Sequence, residues 1–211
     1  MQKPAIALFA RAPLAGRVKT RLIGSLGAGE ACDLHRALVA DTWNVLGALE
    51  GERFLYTDQD HKEWRELAGP RLRLQQGADL GERLWRCFSE LQAAGFGPLL
   101  IVGSDTVGLT PELVSPWTKL LEGTGAVLGP AEDGGYWAIG CRAPDRRMLD
   151  GVEWSCSHTL AQTVAAMERC GMVVLFLDPG YDVDTPEDLA RLETEPRLGV
   201  RVRAWLDKLE G

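Results

Sequence analysis

Seven apolar runs of strand length recur along the chain: PAIALFA (4–10), RFLYT (53–57), RLRLQ (71–75), PLLIVGS (98–104), AVLGP (126–130), YWAIGC (136–141) and MVVLFL (172–177). Several are continuous rather than alternating, the pattern of strands buried on both faces of a mainly parallel sheet. Helical segments separate them. Leu34, Leu38, Val45 and Leu49 share one face of a stretch running from Gly29 to Glu50, and a second amphipathic stretch spans residues 80–94. Alternating strands and helices predict an α/β fold. No linker, repeat or low-complexity segment divides residues 1–211, so one domain is expected.

Helix starts are legible. Asp79 with Glu82 reads as a capping box. Thr110-Pro111-Glu112 and Thr185-Pro186-Glu187 each place a capping Thr before a Pro at the first helical position. Both Thr-Pro starts follow acidic turns, SDTVGL and YDVD. Near the C-terminus Leu198, Val202, Trp205, Leu206 and Leu209 form an apolar stripe beside Arg197, Arg201, Arg203 and Lys208. This stripe packs on the body of the domain, with a homodimer seam as its second use.

ARAPLAGRVKTRL, residues 10–22, holds Arg11, Arg17, Lys19 and Arg21 and no acid, in a chain of net charge -7. It follows the first strand, where ligands bind in open α/β sheets. Gly16 allows close backbone approach, Pro13 stiffens the turn, and the cations present donors to phosphate oxygens. Ala10, Arg11, Gly16, Arg17, Lys19 and Arg21, with Ser104, are the candidate nucleotide-binding residues. The alternative is a solvated basic loop paired with surface acids. A P-loop is excluded because no glycine precedes Gly16 by five positions, and a dinucleotide fingerprint because Gly24 is the next glycine.

Asp105 closes a buried strand at the same sheet edge, and Asp182 and Asp184 alternate in YDVDTP. Asp105 and Asp184 are the candidate ligands for Mg²⁺ or Mn²⁺, with Asp182 the other choice for the second acid. Lys19 and Asp105 are the candidate catalytic pair. In GPAEDGGYWAIG, Glu132, Asp133, Gly134, Gly135 and Trp137 are candidate acceptor contacts, although hairpin formation alone accounts for the glycines. The histidines have no partners at ligand spacing, and G-x-S-x-G is absent, which disfavours a hydrolase.

The acidic balance argues against nucleic-acid binding. No apolar run approaches the roughly 18 residues of a membrane helix, and the N-terminal segment does not read as a signal peptide, so a cytoplasmic location is expected. Five cysteines without a C-x-x-C pair are expected to be reduced and structural.

Taken together, FARAPLAGRVKTRL, QGADLGERL, GSDTVGLTPEL, GPAEDGGYWAIG, Trp154-Ser155 and DVDTPEDL, spread over residues 9–189, carry a resemblance. The chain resembles the bacterial GT-A-type transferases known as uncharacterised or radical-SAM/selenodomain-associated transferases, some named arsenosugar-biosynthesis glycosyltransferases. That resemblance implies a nucleotide-diphospho-sugar transferase fold, a Rossmann-like three-layer sandwich with nucleotide near the first loop. More distantly, the basic loop and DVDTPEDL are similar to phospholactate guanylyltransferases and molybdenum-cofactor nucleotidylyltransferases, whose first loop wraps a triphosphate. Thr106 and Val107 depart from the usual SDCPGL, and Cys156 from the usual Thr after Trp-Ser.

The reading is a metal-dependent, glycosyltransferase-like enzyme with a nucleotide or nucleotide-sugar donor and a small-molecule acceptor. Nucleotidylyl transfer from an NTP to a phosphorylated or carboxylated acceptor is the alternative, and a non-catalytic nucleotide-binding protein is the minor one.

Overall fold

The computed structural model describes residues 2–122 and 125–210. Its strands are β1 (Ala5–Ala10), β2 (Glu52–Thr57), β3 (Leu72–Leu74), β4 (Leu99–Gly103), β5 (Ala126–Pro130), β6 (Tyr136–Cys141) and β7 (Val174–Phe176). They form one sheet in the order β3-β2-β1-β4-β6-β5-β7. β6 runs antiparallel to both β4 and β5, and every other pairing is parallel. The helices are α1 (Ile23–Gly47), α2 (Lys62–Ala68), α3 (Leu80–Ala93), α4 (Pro111–Val114), α5 (Pro116–Glu122), α6 (Thr159–Arg169), α7 (Pro186–Leu192) and α8 (Val200–Glu210).

The continuous apolar runs have the predicted cause at the centre of the sheet. On β1 and β4, Ile6, Leu8, Leu100 and Val102 pack on one face with Trp43, Leu46, Trp64 and Trp117. Ala5, Ala7, Leu99 and Ile101 pack on the other with Leu84 and Phe88 of α3 and Met167 of α6. Helices on both faces complete the three layers. The edges differ from the expectation. β3 and β7 each keep three residues of their predicted runs, and Leu74 and Phe176 are about half exposed, because a sheet edge has a neighbour on one side only.

The first long helix starts earlier than expected, at Ile23, and is interrupted at Gly27 (φ 79°, ψ 160°) before continuing to Gly47. Its Leu34 and Leu38 pack with Val202, Trp205 and Leu206 of α8, so the C-terminal stripe covers α1. Asp41 of α1 accepts from the backbone N–H groups of Arg201 (3.0 Å) and Val202 (2.9 Å), which caps the first turn of α8. Leu198 precedes that helix, and Leu209 stays 41% exposed. All five cysteines are free.

Candidate active site

In the strand order, β1 lies between β2, its successor in the chain, and β4, which arrives only after β3. The direction of winding therefore reverses at β1, and a crevice opens between the carboxyl ends of β1 and β4. A cavity of about 480 Å³ occupies that position. The loop after β1 supplies Arg11, Arg17, Lys19 and Arg21 to its lining, and the end of β4 supplies Ser104 and Asp105.

The basic loop is held from below. The Ala12 N–H donates to Asp58 (2.7 Å), and the Arg11 carbonyl accepts from both Trp64 Nε1 (2.9 Å) and His35 Nε2 (3.0 Å). Gly16 turns the chain at φ 83°, a conformation open to glycine at little cost. Arg17 and Arg21 are left exposed, while Lys19 is buried in the left-handed region at φ 47°. A lone non-glycine residue in this conformation is a mark of a constrained site.

Lys19 Nζ lies 2.6 Å from Asp105 and 3.1 Å from Asp184, and its side chain is only 2% exposed. Burial pulls the lysine pKa down, but the charges and hydrogen bonds of the two acids outweigh it and leave the pKa raised. Asp105 is half-buried, with 44% of its side chain exposed where it lines the cavity. Burial pushes its carboxyl up, and Lys19 more than reverses this, holding it below the usual carboxylate range.

Backbone pairing brings the acids together. Val183 N–H donates to the Asp105 carbonyl (3.1 Å), Val107 N–H donates to the Tyr181 carbonyl (3.2 Å), and Thr106 bridges Asp182. Val183 points into the core while Asp182 and Asp184 point away from it, as their alternation predicts. Asp182 is half-buried, accepts from the Thr106 hydroxyl, and is pushed up to about 6 by desolvation and then by the Asp105 charge. Asp184 is fixed through its backbone. Asp188 accepts from the N–H groups of Asp184 (3.0 Å) and Thr185 (2.8 Å), and Thr185 caps α7 in return.

Asp184, not Asp182, therefore shares a cation with Asp105. Among the described residues no group of three or more His, Cys, Asp or Glu stands ready for a metal ion. Two carboxylates already converging on one ammonium are nonetheless a donor pair that suits Mg²⁺ or Mn²⁺, ions that complete their shells with waters and substrate phosphates.

None of the GPAEDGGYWAIG residues lines this cavity. Glu132 forms a two-pronged pair with Arg191 (2.8 and 3.0 Å). Asp133 accepts from the Gly135 N–H (2.8 Å), and Gly134 backs onto the Ser157 carbonyl. Trp137 alternates inward on β6, is 3% exposed, and donates to the Asp178 carbonyl at 3.1 Å. Glu132 and Trp137 instead border a separate cavity of about 180 Å³.

Sequence reasoning missed His35, Gln75, Arg83 and Ser155, all of which line the main cavity. His35 is buried and its pKa is lowered, chiefly by desolvation. Arg83 lies within QGADLGERL and Ser155 within Trp154-Ser155, and the part those motifs play in the family resemblance was the available signal.

A family model described as "Uncharacterized protein conserved in bacteria (DUF2064)" matches residues 43–156. None of the curated protein sequences matches the chain. A candidate nucleotide-diphospho-sugar transferase from Desulfovibrio desulfuricans G20 is 30% identical with a TM-score of 0.91, covering 100% of this chain and 96% of that one. Glucosyl-3-phosphoglycerate synthase from Mycobacterium tuberculosis was solved with Mn²⁺, UDP-glucose and phosphoglyceric acid. It is 14% identical with a TM-score of 0.54, over 90% of this chain and 74% of its own. The 4-diphosphocytidyl-2C-methyl-D-erythritol synthase of Anaerococcus prevotii is 11% identical with a TM-score of 0.59, over 92% and 95% of the two chains. The fold is thus that of the nucleotide-diphospho-sugar transferases, and the solved relatives are transferases. No helix among the described residues is long and apolar enough to cross a membrane.

Proposed function

Because the chain belongs to the DUF2064 family, whose description names no reaction, we propose from its site that it is a metal-dependent transferase using a nucleotide-activated donor, with glycosyl transfer from a nucleotide sugar as the reaction. The observation that carries this reading is Lys19 held between Asp105 and Asp184 in a cavity whose lining also includes Arg11, Arg17 and Arg21. The Desulfovibrio relative, covered over nearly its whole length, supports the sugar donor.

In this mechanism the exposed Arg17 and Arg21 grip the donor phosphates, with Gly16 letting the backbone approach them. Ala10, Arg11 and Ser104 line the donor's seat beside the carboxyl ends of β1 and β4. Asp105 and Asp184 would hold the metal, which would supply charge neutralisation to the donor phosphates. Lys19 keeps the two acids converged, and on the cavity lining it would supply positive charge to the donor phosphates. The whole chain acts as one nucleotide-binding unit, with a small molecule rather than nucleic acid as acceptor.

A second reading, nucleotidylyl transfer with pyrophosphate release, is favoured by the number of cations on the loop, which suits a triphosphate. Incubation with NTPs, nucleotide sugars and a metabolite extract separates the two. Nucleoside diphosphate release supports glycosyl transfer, pyrophosphate release supports the second reading, and neither release refutes both. Asp105→Asn is expected to abolish Mg²⁺-dependent nucleotide binding in calorimetry, and undiminished binding would remove Asp105 from the metal site.

A further inference from the structure

Two motifs, QGADLGERL and Trp154-Ser155, have no task in the mechanism above, and the fold brings them to one wall of the cavity. A Cβ on Gly81 would lie 2.8 Å from Trp154 Cζ2 and 2.9 Å from its Nε1, so glycine alone lets the indole rest on the first turn of α3. That contact joins the 154–155 segment to the helix that carries Arg83. Both Arg83 and Ser155 line the cavity that contains Lys19, Asp105 and Asp184.

Arg83 is half-buried, and its Nε donates to the Gly77 carbonyl at 3.2 Å. This bond anchors the guanidinium at Nε, and among the described residues no carboxylate pairs with its terminal nitrogens. A planar fork anchored at one nitrogen is suited to receive an oxyanion through the others. Ser155 is held at φ 60°, where side chains other than glycine are rarely found. Strain retained on a cavity wall is a sign of a group kept for binding rather than for stability.

Charge points the same way. The cavity gathers Arg11, Arg17, Lys19, Arg21 and Arg83 against Asp105 and Asp184. With a divalent cation added, the diphosphate of a nucleotide sugar leaves the cavity strongly positive, and even a triphosphate leaves a positive remainder. A neutral acceptor would leave that charge unanswered.

We propose that Arg83 and Ser155 form the acceptor subsite and that the acceptor is a small anion presenting a carboxylate or phosphate to Arg83. The assignment rests on the transferase reading but holds for either of its two reactions. It also replaces Glu132, Asp133 and Trp137 as the acceptor contacts.

The test is calorimetry on the full chain in Mg²⁺, first with UDP-glucose and each NTP, then with small probes titrated into the nucleotide-loaded protein. The probes are 3-phosphoglycerate, glycerol 3-phosphate, lactate and glycerol, which separate the two anionic groups from each other and from a neutral control. Wild type is expected to bind an anionic probe and not glycerol. Arg83→Gln should weaken that binding by about tenfold or more while nucleotide affinity stays within about twofold, and Arg83→Lys should fall between. Ser155→Gly should melt at a higher temperature yet bind the anion more weakly, a combination that a purely structural serine would not give.

Uptake of no anionic probe by the nucleotide-loaded wild type would overturn the subsite and leave the transferase reading standing, as would equal loss of nucleotide and anion in Arg83→Gln. A wild-type chain that binds no nucleotide would overturn the transferase reading and the subsite with it.

Discussion

Lys19 Nζ stands 2.6 Å from Asp105 and 3.1 Å from Asp184, so one buried ammonium holds together two acids supplied by separate segments of the chain. Removing the ammonium leaves two like charges facing each other with nothing between them. The lysine pKa is raised, so this contribution is fully present below the ordinary value of 10.5 and is lost as pH climbs through the folded value.

Lys19→Met is therefore expected to lower stability at pH 7 by about 1–3 kcal/mol, discounted for the solvent that reaches both acids. Mg²⁺ should restore part of the loss, because binding to the folded state alone stabilises it. Thermal melts with and without Mg²⁺ check this. A variant that gains no more from Mg²⁺ than the wild type does would show that the acids do not share an ion.

Arg17 and Arg21 are exposed on the loop, and their phosphate role makes a graded prediction. Alanine at both should weaken a nucleoside triphosphate by about 2–3 kcal/mol and a monophosphate by much less. Parallel titrations of the two nucleotides measure the difference. Equal losses would assign the arginines to the nucleoside end.

Asp188→Ala and Thr185→Ala each break the capping box of α7 and should each cost about 1 kcal/mol in denaturant unfolding. Only the first releases the Asp184 N–H, which Asp188 holds at 3.0 Å. Asp188→Ala should accordingly weaken Mg²⁺-dependent nucleotide binding by about tenfold, while Thr185→Ala leaves it nearly unchanged. Equal effects on binding would detach Asp184 from the ion.

His35 is buried with its pKa below the ordinary 6.5, so the unfolded chain takes up its proton first as pH falls. The stability tied to neutral His35 is present above pH 6.5 and is lost as pH falls through the folded value. His35→Gln keeps a donor for the Arg11 carbonyl and should flatten the decline in stability below pH 6.5. Denaturant titrations at stepped pH values report that slope.

Much of the fold is written in local pattern. Leu99–Gly103 reads as a strand buried on both faces because it lies at the sheet centre, and Asp105 follows directly at its functional edge. Val174–Phe176 carries a similar pattern, but its place at the edge depends on pairing order, which local sequence does not encode. Within the cavity, the basic loop announces itself by charge. His35 does not, since its partner is a backbone carbonyl brought from another segment. Arg83 and Ser155 meet the cavity through the Gly81–Trp154 contact, a tertiary event. Trp137 beside two glycines looks available for stacking, yet strand alternation turns it inward.

Asp41 binds the start of α8, and His35 steadies the Arg11 carbonyl from the same helix, about 9 Å along its axis at the usual helical rise. α1 thus works as a common mount for the chain's last helix and its phosphate-gripping loop. Displacing α8 would strip the cover from Leu34 and Leu38 and loosen that mount, so the far end of the chain is mechanically in series with the first loop.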